Sequence, residues 1–170
     1  MPENDLHLLD NVKDASMTEA RFNELIDIVT AVYEPIISAK GARLVVNRKW
    51  SSSTVNASAS QSGSTWYLNM YGGLARHSDV TEDGFSLVVC HEFGHHLGGF
   101  PFVQSWAADE GQSDYFATQS CGRNIWANDV EANAAAAETV DATAKAQCDE
   151  AWESDNDKNL CYRMMNASYS

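Results

Sequence analysis

The sequence predicts an α+β fold in which a small antiparallel or mixed sheet packs against several helices. Three observations support this class: apolar residues at helical spacing over residues 22–36, three alternating segments between residues 42 and 70, and a second apolar helical run that ends at Gly98. The chain has 170 residues, of which 44% are hydrophobic, so it can bury a sizeable core. Since no internal repeat or long linker is visible, we expect one domain over residues 1–170.

The first predicted helix begins near Ser16, because Ser16-x-x-Glu19 matches the capping-box pattern. Apolar residues then recur at helical spacing until Gly41: Phe22, Leu25, Ile26, Val29, Val32, Tyr33 and Ile36. This spacing predicts a helix with one face in the core.

Three strands are predicted next, over residues 42–48, 54–60 and 65–70, where alternating and β-branched or aromatic residues are separated by Ser and Gly turns. An antiparallel sheet fits these short spacings. Residues 66–76 precede the next helix, and we expect them to form a sheet edge that pairs with an extended peptide. Gly72-Gly73 in this segment indicates either a turn or a close approach of a bound chain.

The next helix carries the most informative motif, His91-Glu92-Phe93-Gly94-His95, which has the form H-E-x-x-H. Asp79 or Thr81 caps its start, and Gly98-Gly99 followed by Pro101 ends it, which gives a helix from residue 81 to residue 97. At about 100° per residue, His91 and His95 share one helical face, so both imidazoles can bind one zinc ion. Glu92 stands beside that face and is the expected general base.

Catalytic zinc usually takes three protein ligands and one water, so a third ligand is needed. The metzincin extension H-E-x-x-H-x-x-G-x-x-H is excluded, since Pro101 stands where its last histidine belongs. Glu110 and Asp114 are spaced i, i+4 on one face of a second predicted helix. Glu110 is the expected third ligand, with Asp109 as a competitor, and Asp114 can accept the free ring N–H of a ligand histidine. The alternative is that these carboxylates form a solvated helix face.

With both segments considered, the chain resembles the gluzincin metallopeptidases, and most closely the soluble domain of CAAX prenyl protease-type peptidases and the minigluzincins. The close match covers residues 85 to about 117. The resemblance implies a zincin-like fold, Zn²⁺ bound by His91, His95 and Glu110, Glu92 as catalytic base, and Asp114 as hydrogen-bond partner of a ligand histidine.

The chain departs from this family in two respects. It has no apolar run near the roughly 18 residues that cross a bilayer, so we expect no transmembrane segment. Tyr115 stands where an arginine is frequent, and the group that polarises the substrate carbonyl is unassigned. The candidates for that role are His77, Tyr71, Tyr115, Tyr162 and Arg163.

The predicted function is therefore zinc-dependent endopeptidase activity, in which a zinc-activated water attacks a peptide carbonyl and Glu92 transfers the proton. Two alternatives remain: a zinc-binding protein without catalysis, in which a fourth protein ligand closes the site, and a partner-binding protein on an inactive peptidase scaffold. An intact Glu92 argues against both. Trp106 and Phe102, between the two ligand-bearing helices, either line a pocket or pack internally.

The net charge of −13 and the isoelectric point near 4.5 argue against nucleic acid or an anionic membrane surface as a partner. The acidity either maintains solubility or favours a basic peptide substrate. We expect a peptide or protein substrate and a monomeric chain.

The four cysteines, Cys90, Cys121, Cys148 and Cys161, include no C-x-x-C pair, which excludes a zinc ribbon. They predict two disulfides in a secreted or periplasmic protein. Three connectivities are possible, and linking Cys90 or Cys121 to the C-terminal segment would clamp the catalytic helices together. Residues 2–5 are polar and acidic, unlike a signal peptide, so we expect a mature form.

Beyond Cys121, residues 130–153 predict one alanine-rich helix that packs on the ligand helix. Asp155-x-Asp157-x-Asn159 resembles the start of a calcium loop, but Leu160 replaces the required glycine. We therefore expect an acidic turn there.

Overall fold

The computed structural model describes residues 17–169, so Ser16 and the segment 2–5 lie outside the described residues. Its architecture is α+β, with a three-stranded mixed sheet and several helices. In chain order the elements are α1 (Glu19–Ala39), β1 (Arg43–Lys49), β2 (Ala57–Ser62), β3 (Thr65–Tyr71), α2 (Gly72–Ala75), α3 (Glu82–Leu97), α4 (Glu110–Phe116), a π-helical segment (Ala117–Gly122), α5 (Arg123–Trp126), α6 (Val130–Ala135), a 3₁₀ turn (Ala136–Glu138), α7 (Ala142–Ala151) and α8 (Asp155–Ser168).

The sheet has the order β1-β3-β2, with β1 parallel and β2 antiparallel to the central strand β3. The mixed sheet agrees with the expectation of a small antiparallel or mixed sheet. The expected edge at residues 66–76 was wrong, because residues 66–71 form the centre of the sheet. The glycine pair begins the short helix α2. A Cβ at Gly73 would lie 2.3 Å from the carbonyl oxygen of Ser53, so these glycines allow another backbone segment of the same chain to pack closely.

Helix α1 covers the main core. It begins at Glu19, and the side chain of Thr18 accepts a hydrogen bond from the backbone N–H of Arg21, so Thr18 is the N-cap of the helix. Its buried residues are Phe22, Leu25, Ile26, Val29, Tyr33 and Ile37. The expectation for Ile36 was wrong, because its side chain is exposed and the following Ile37 occupies the core.

Helix α3 runs through this core, with the N-cap at Thr81, whose hydroxyl accepts from the backbone N–H of Gly84. Phe85 packs on Phe22, and Phe93 packs on Tyr33, with ring centroids 5.2 and 5.5 Å apart. The predicted helix is thus confirmed, and its burial on α1 fixes the orientation of the H-E-x-x-H segment.

The C-terminal part differs from the single alanine-rich helix that the sequence predicts. The helical segment ends after the 3₁₀ turn. Asp141 then caps a separate helix, α7, because its side chain accepts hydrogen bonds from the backbone N–H groups of Thr143 and Ala144. Helix α8 packs on α3, where Leu160, Met164 and Ala167 form one buried apolar cluster with Leu87. The acidic segment is the first turn of α8 rather than a free turn, with Ser154 as its N-cap.

All four cysteines are paired, as Cys90–Cys121 and Cys148–Cys161, with Cα atoms 5.6 and 5.8 Å apart. The expected number of bridges is confirmed, but neither Cys90 nor Cys121 is linked to the C-terminal segment. They join α3 to the π-helical segment that directly continues α4. Two disulfides are consistent with an oxidising location. Within residues 17–169, no helix is both long and apolar enough to cross a membrane.

Candidate metal site

Three polar side chains of α3 lie together in a buried position. His91 and His95 are each 8% exposed, and Glu92 is 0% exposed. One possible ligand atom from each of the three lies within 4.8 Å of those of the other two. The two imidazole rings meet edge to face, with centroids 4.8 Å apart. Helical spacing therefore brings the three motif residues to one place, and this group is compatible with metal binding.

Helix α4 supplies the two carboxylates that the sequence predicts. Asp109 is its N-cap and accepts from the backbone N–H of Gln112 at 2.7 Å, so this competing ligand has a structural role. Glu110 Oε2 lies 3.0 Å from His91 Nε2 and 3.9 Å from His95 Nε2. Asp114 Oδ1 lies 2.7 Å from His91 Nδ1. The structure thus gathers His91, His95, Glu110 and Asp114 into one cluster.

The hydrogen-bond partners assign the tautomer of His91. A carboxylate oxygen accepts, so the Nδ1–H of His91 donates to Asp114, and in the neutral ring the Nε2 atom carries a lone pair. This Nε2 is buried and has no aligned hydrogen-bond partner, although Glu110 Oε2 is only 3.0 Å away. With a neutral ring two acceptors face each other, which is unfavourable unless a metal ion or a proton lies between them.

His95 has the same tautomer for a different reason. Its Nδ1 is 2.9 Å from the backbone oxygen of Ala108 and 3.1 Å from the hydroxyl of Ser113. The Ser113 hydroxyl donates to the backbone oxygen of Asp109, so it accepts from His95. Neither Ala108 nor Ser113 could be predicted as a partner of His95, because a backbone carbonyl in a loop and a single serine leave no pattern in the sequence. In the neutral ring the Nε2 atom of His95 therefore carries a lone pair, 3.9 Å from Glu110 Oε2.

The spacing of these atoms fits a tetrahedral metal. Zinc binds nitrogen and carboxylate oxygen at about 2.0–2.2 Å, which separates neighbouring ligand atoms by about 3.3 Å. The distances of 3.0 and 3.9 Å from Glu110 Oε2 to the two Nε2 atoms lie on either side of that value. Two neutral imidazoles and one carboxylate are also donors that zinc prefers. The donor chemistry and the two distances from Glu110 are therefore compatible with zinc.

A third histidine, His96, is buried beside this cluster but belongs to an aromatic stack. Its ring lies between Trp66 of β3 and Trp106, with centroid distances of 4.9 and 5.1 Å and interplanar angles of 15° and 27°. Burial lowers the pKa of His96 to about 4, so the ring is neutral at pH 7. Trp106 was expected either to line a pocket or to pack internally, and its stacking on His96 was not predicted.

Most candidates for the carbonyl-polarising group are engaged elsewhere. Arg163 forms a bidentate ion pair with Asp83 at 2.7 and 2.8 Å, at the opposite end of α3 from the histidines. Tyr162 donates to Asp149, Tyr71 accepts from Lys49, and His77 accepts from the backbone N–H of Asp79. Tyr115 follows Asp114 on α4 with an exposed side chain, and its assignment stays a prediction.

Two cavities flank the cluster, and Glu110 lines both. The larger, of about 460 Å³, extends from His91 and Asp114 toward α8. The smaller, of about 170 Å³, extends from His95 toward Ser58 and Ala59 of β2. The edge strand beside the candidate site is therefore β2 and not the segment 66–76. The loop after α3 also lines the smaller cavity, through Val103 and Trp106.

Comparison of the chain with protein-family models, with curated proteins and with solved structures finds no match.

Proposed function

We propose that this chain is a zinc-dependent endopeptidase of the gluzincin type, with a zincin-like arrangement of edge strand, H-E-x-x-H helix and carboxylate-bearing helix. The observation that carries the proposal is the convergence of three acceptors: the Nε2 atoms of His91 and His95 and the carboxylate of Glu110. A metal ion, or a proton on a ring nitrogen, would relieve their mutual repulsion, and their spacing and chemistry fit zinc.

His91, His95 and Glu110 would hold the ion. When bound, zinc would act as a Lewis acid toward a peptide carbonyl and a water. Asp114, Ala108 and Ser113 keep the proton of each ring on Nδ1 and so leave both Nε2 atoms free to bind the metal. Their role is to fix the orientation of the two rings before the ion arrives.

Glu92 would move the proton. Its carboxylate is fully buried and close to the metal-binding atoms of His91 and His95. In the proposed reaction it removes a proton from the attacking water and later gives that proton to the leaving amine. Burial keeps this transfer away from bulk solvent.

The substrate would bind in an extended conformation along β2. In the described sheet β2 pairs with β3 along one side, and its residues Ser58 and Ala59 line a cavity together with His95 and Glu110. In this strand addition, hydrogen bonds between the substrate backbone and β2 would provide affinity, and the substrate side chains would enter the flanking cavities. Because a cavity lies on each side of Glu110, a chain that continues in both directions fits the site, which favours endopeptidase activity.

The proposed location is outside the cytosol, in a secreted or periplasmic protein. The two disulfides support this location, because cytosolic thiol systems keep most cysteines reduced.

The decisive experiment incubates the protein, with zinc added, with a diverse peptide mixture and identifies cleavage products by mass spectrometry. We expect internal cleavage by the wild-type protein and none by Glu92→Gln, with about one zinc bound to each. Equal cleavage by Glu92→Gln would remove Glu92 from the base role. Zinc binding without any cleavage would instead support the non-catalytic alternative.

A second experiment tests the third ligand by metal analysis after dialysis. Glu110→Ala should lose most of its zinc, whereas Glu131→Ala, which removes an exposed carboxylate from α6, should retain it. Full zinc content in Glu110→Ala would show that another group completes the site.

A further inference from the structure

The part of the chain that forms the sheet contains no acidic residue. Residues 35–78 hold five of the 11 basic residues and none of the 24 acidic residues. The five are Lys40, Arg43, Arg48, Lys49 and Arg76. The sheet region is therefore positive, whereas the rest of the chain carries all of the negative charge. Such a separation of charge produces a local attraction for negatively charged partners.

Strand β1 lies at one edge of the described sheet, opposite to the edge formed by β2. The backbone N–H of Arg43 donates to the oxygen of Ser64 at 2.8 Å, so the backbone groups of Arg43 face β3. Since these groups alternate in direction along a strand, the N–H and C=O groups of Leu44, Val46 and Arg48 face away from β3. Among the described residues, no strand pairs with that side of β1. A further strand can therefore hydrogen-bond to this edge.

The exposed side chains along this edge are basic. Arg43 and Lys49 are the two ends of β1, and they point to the same face of the sheet because an even number of positions separates them. Both are exposed, and so is Lys40 in the turn before the strand. Asp27 of α1 also reaches β1, but its carboxylate forms an ion pair with Arg48, so its charge is compensated. Positive charge thus lies beside backbone groups that are available for pairing.

These charges select between possible partners of β1. Two copies of the chain that paired antiparallel through β1 would place Arg43 of one copy opposite Lys49 of the other. Like charges directly opposite each other are destabilising, and charged edge strands commonly prevent pairing between copies. A strand with carboxylates at the same positions would instead meet opposite charges. The edge therefore disfavours a second copy and favours an acidic strand.

We propose that the free edge of β1 is a docking site for an extended acidic segment of a partner protein, which adds to the sheet as an antiparallel fourth strand. Its backbone would pair with Leu44, Val46 and Arg48, and its carboxylates would lie opposite Arg43 and Lys49. Antiparallel pairing is the more stable arrangement. A nucleic acid fits less well, because it cannot complete a β ladder and would extend over the acidic remainder of the protein.

The test measures binding of labelled peptides to the metal-free protein by fluorescence anisotropy. The probe is acetyl-Glu-Val-Glu-Val-Glu-Val-Glu-amide, which matches the length of β1. It should bind, whereas the same peptide with lysine in place of every glutamate should not. N-methylation of the three valines should weaken binding at least about tenfold, because it removes the N–H groups that face β1 in antiparallel pairing. Equal binding of the methylated peptide, or displacement by an oligonucleotide of equal charge at equal concentration, would contradict strand pairing.

A double variant locates the binding site on β1. Arg43→Gln with Lys49→Gln should weaken binding of the acidic peptide about tenfold, since two cross-strand charge pairs are lost. Lys145→Gln with Lys158→Gln is the matched control, because it removes the same charge from α7 and α8. The control should bind as tightly as the wild-type protein. Equal weakening in both double variants would show a general charge effect and overturn the proposed site.

Other occupants of the edge would give different results, and each would overturn the proposal of a partner protein. A dimer in sedimentation equilibrium that the acidic peptide dissociates would assign the edge to a second copy. Binding only to a variant that lacks residues 2–14 would assign it to that segment of the chain. Since the protein is metal-free throughout, these outcomes are independent of zinc binding and of peptide cleavage.

Discussion

Gly94 and Ser113 bring the two ligand-bearing helices into direct backbone contact. A Cβ atom at Gly94 would lie 2.8 Å from both the Cα and the carbonyl oxygen of Ser113, which is closer than packed atoms tolerate. Gly94 lies within the H-E-x-x-H segment, and Ser113 lies between Glu110 and Asp114. This contact therefore sets the distance between the two histidines and the two carboxylates.

Gly94→Ala should displace α4 and weaken zinc binding roughly 10- to 100-fold, the range observed when groups that support metal ligands are disturbed. Competition with a chromophoric chelator measures this affinity. Gly111→Ala is the control, since a Cβ at Gly111 would have no neighbour closer than 3.9 Å. Equal zinc affinity in both variants would mean that the helix contact does not set the geometry of the site.

Asp114→Asn should weaken zinc binding by roughly tenfold, because an amide supports the Nδ1–H tautomer of His91 less strongly than a carboxylate. The unfolding midpoint of the metal-free protein should change little, since Asp114 is mostly exposed. Isothermal calorimetry and thermal unfolding give the two values. A large loss of stability without a change in zinc affinity would contradict this assignment.

Replacing Cys90 and Cys121 together with serine should destabilise the protein by about 3–4 kcal/mol on loop-entropy grounds. It should also lower zinc affinity, since this bridge joins α3 to the continuation of α4. The Cys148/Cys161 double serine variant is the control, because it should cost about 3 kcal/mol without changing zinc affinity. Denaturant titration and metal competition, applied to both variants, distinguish the two bridges.

Arg163→Met should lower the free energy of unfolding by about 2–4 kcal/mol, because it leaves Asp83 and Asp129 without their buried cationic partner. The activity per folded molecule should be unchanged, which separates this structural role from carbonyl polarisation. Arg48→Met, which removes an exposed pair with Asp27, should cost less than about 1 kcal/mol. Normal stability with lost turnover would return Arg163 to the list of catalytic candidates.

The helices of the candidate site could be predicted from the sequence because their signals are local. The period of α3, its cap at Thr81 and the spacing of His91 and His95 all lie within 17 residues. The i, i+4 spacing of Glu110 and Asp114 is likewise a property of one short helix. Local spacing therefore indicated which residues share a face, and packing then brought the two faces together.

The features that could not be predicted depend on contacts between distant segments. Strand order is one case: β1 and β3 are separated by β2 in sequence yet pair in parallel, which leaves β2 at one edge of the described sheet. The stack of Trp66, His96 and Trp106 is another, since three elements contribute one ring each. The break before α7 is different in kind. Asp141 is a local N-cap signal for α7, but it was not used because the alanine-rich composition around it favoured one continuous helix.

The Cys90–Cys121 bridge closes a ring that contains the whole candidate metal cluster, because His91 follows its first cysteine and Asp114 precedes its second. A single proteolytic cut within the exposed segment 100–105 would leave both halves of the cluster covalently attached. Such nicked molecules would migrate as one species on a non-reducing gel and as two after reduction. The bridge would thereby keep both helices of the cluster in one molecule after proteolysis of this loop.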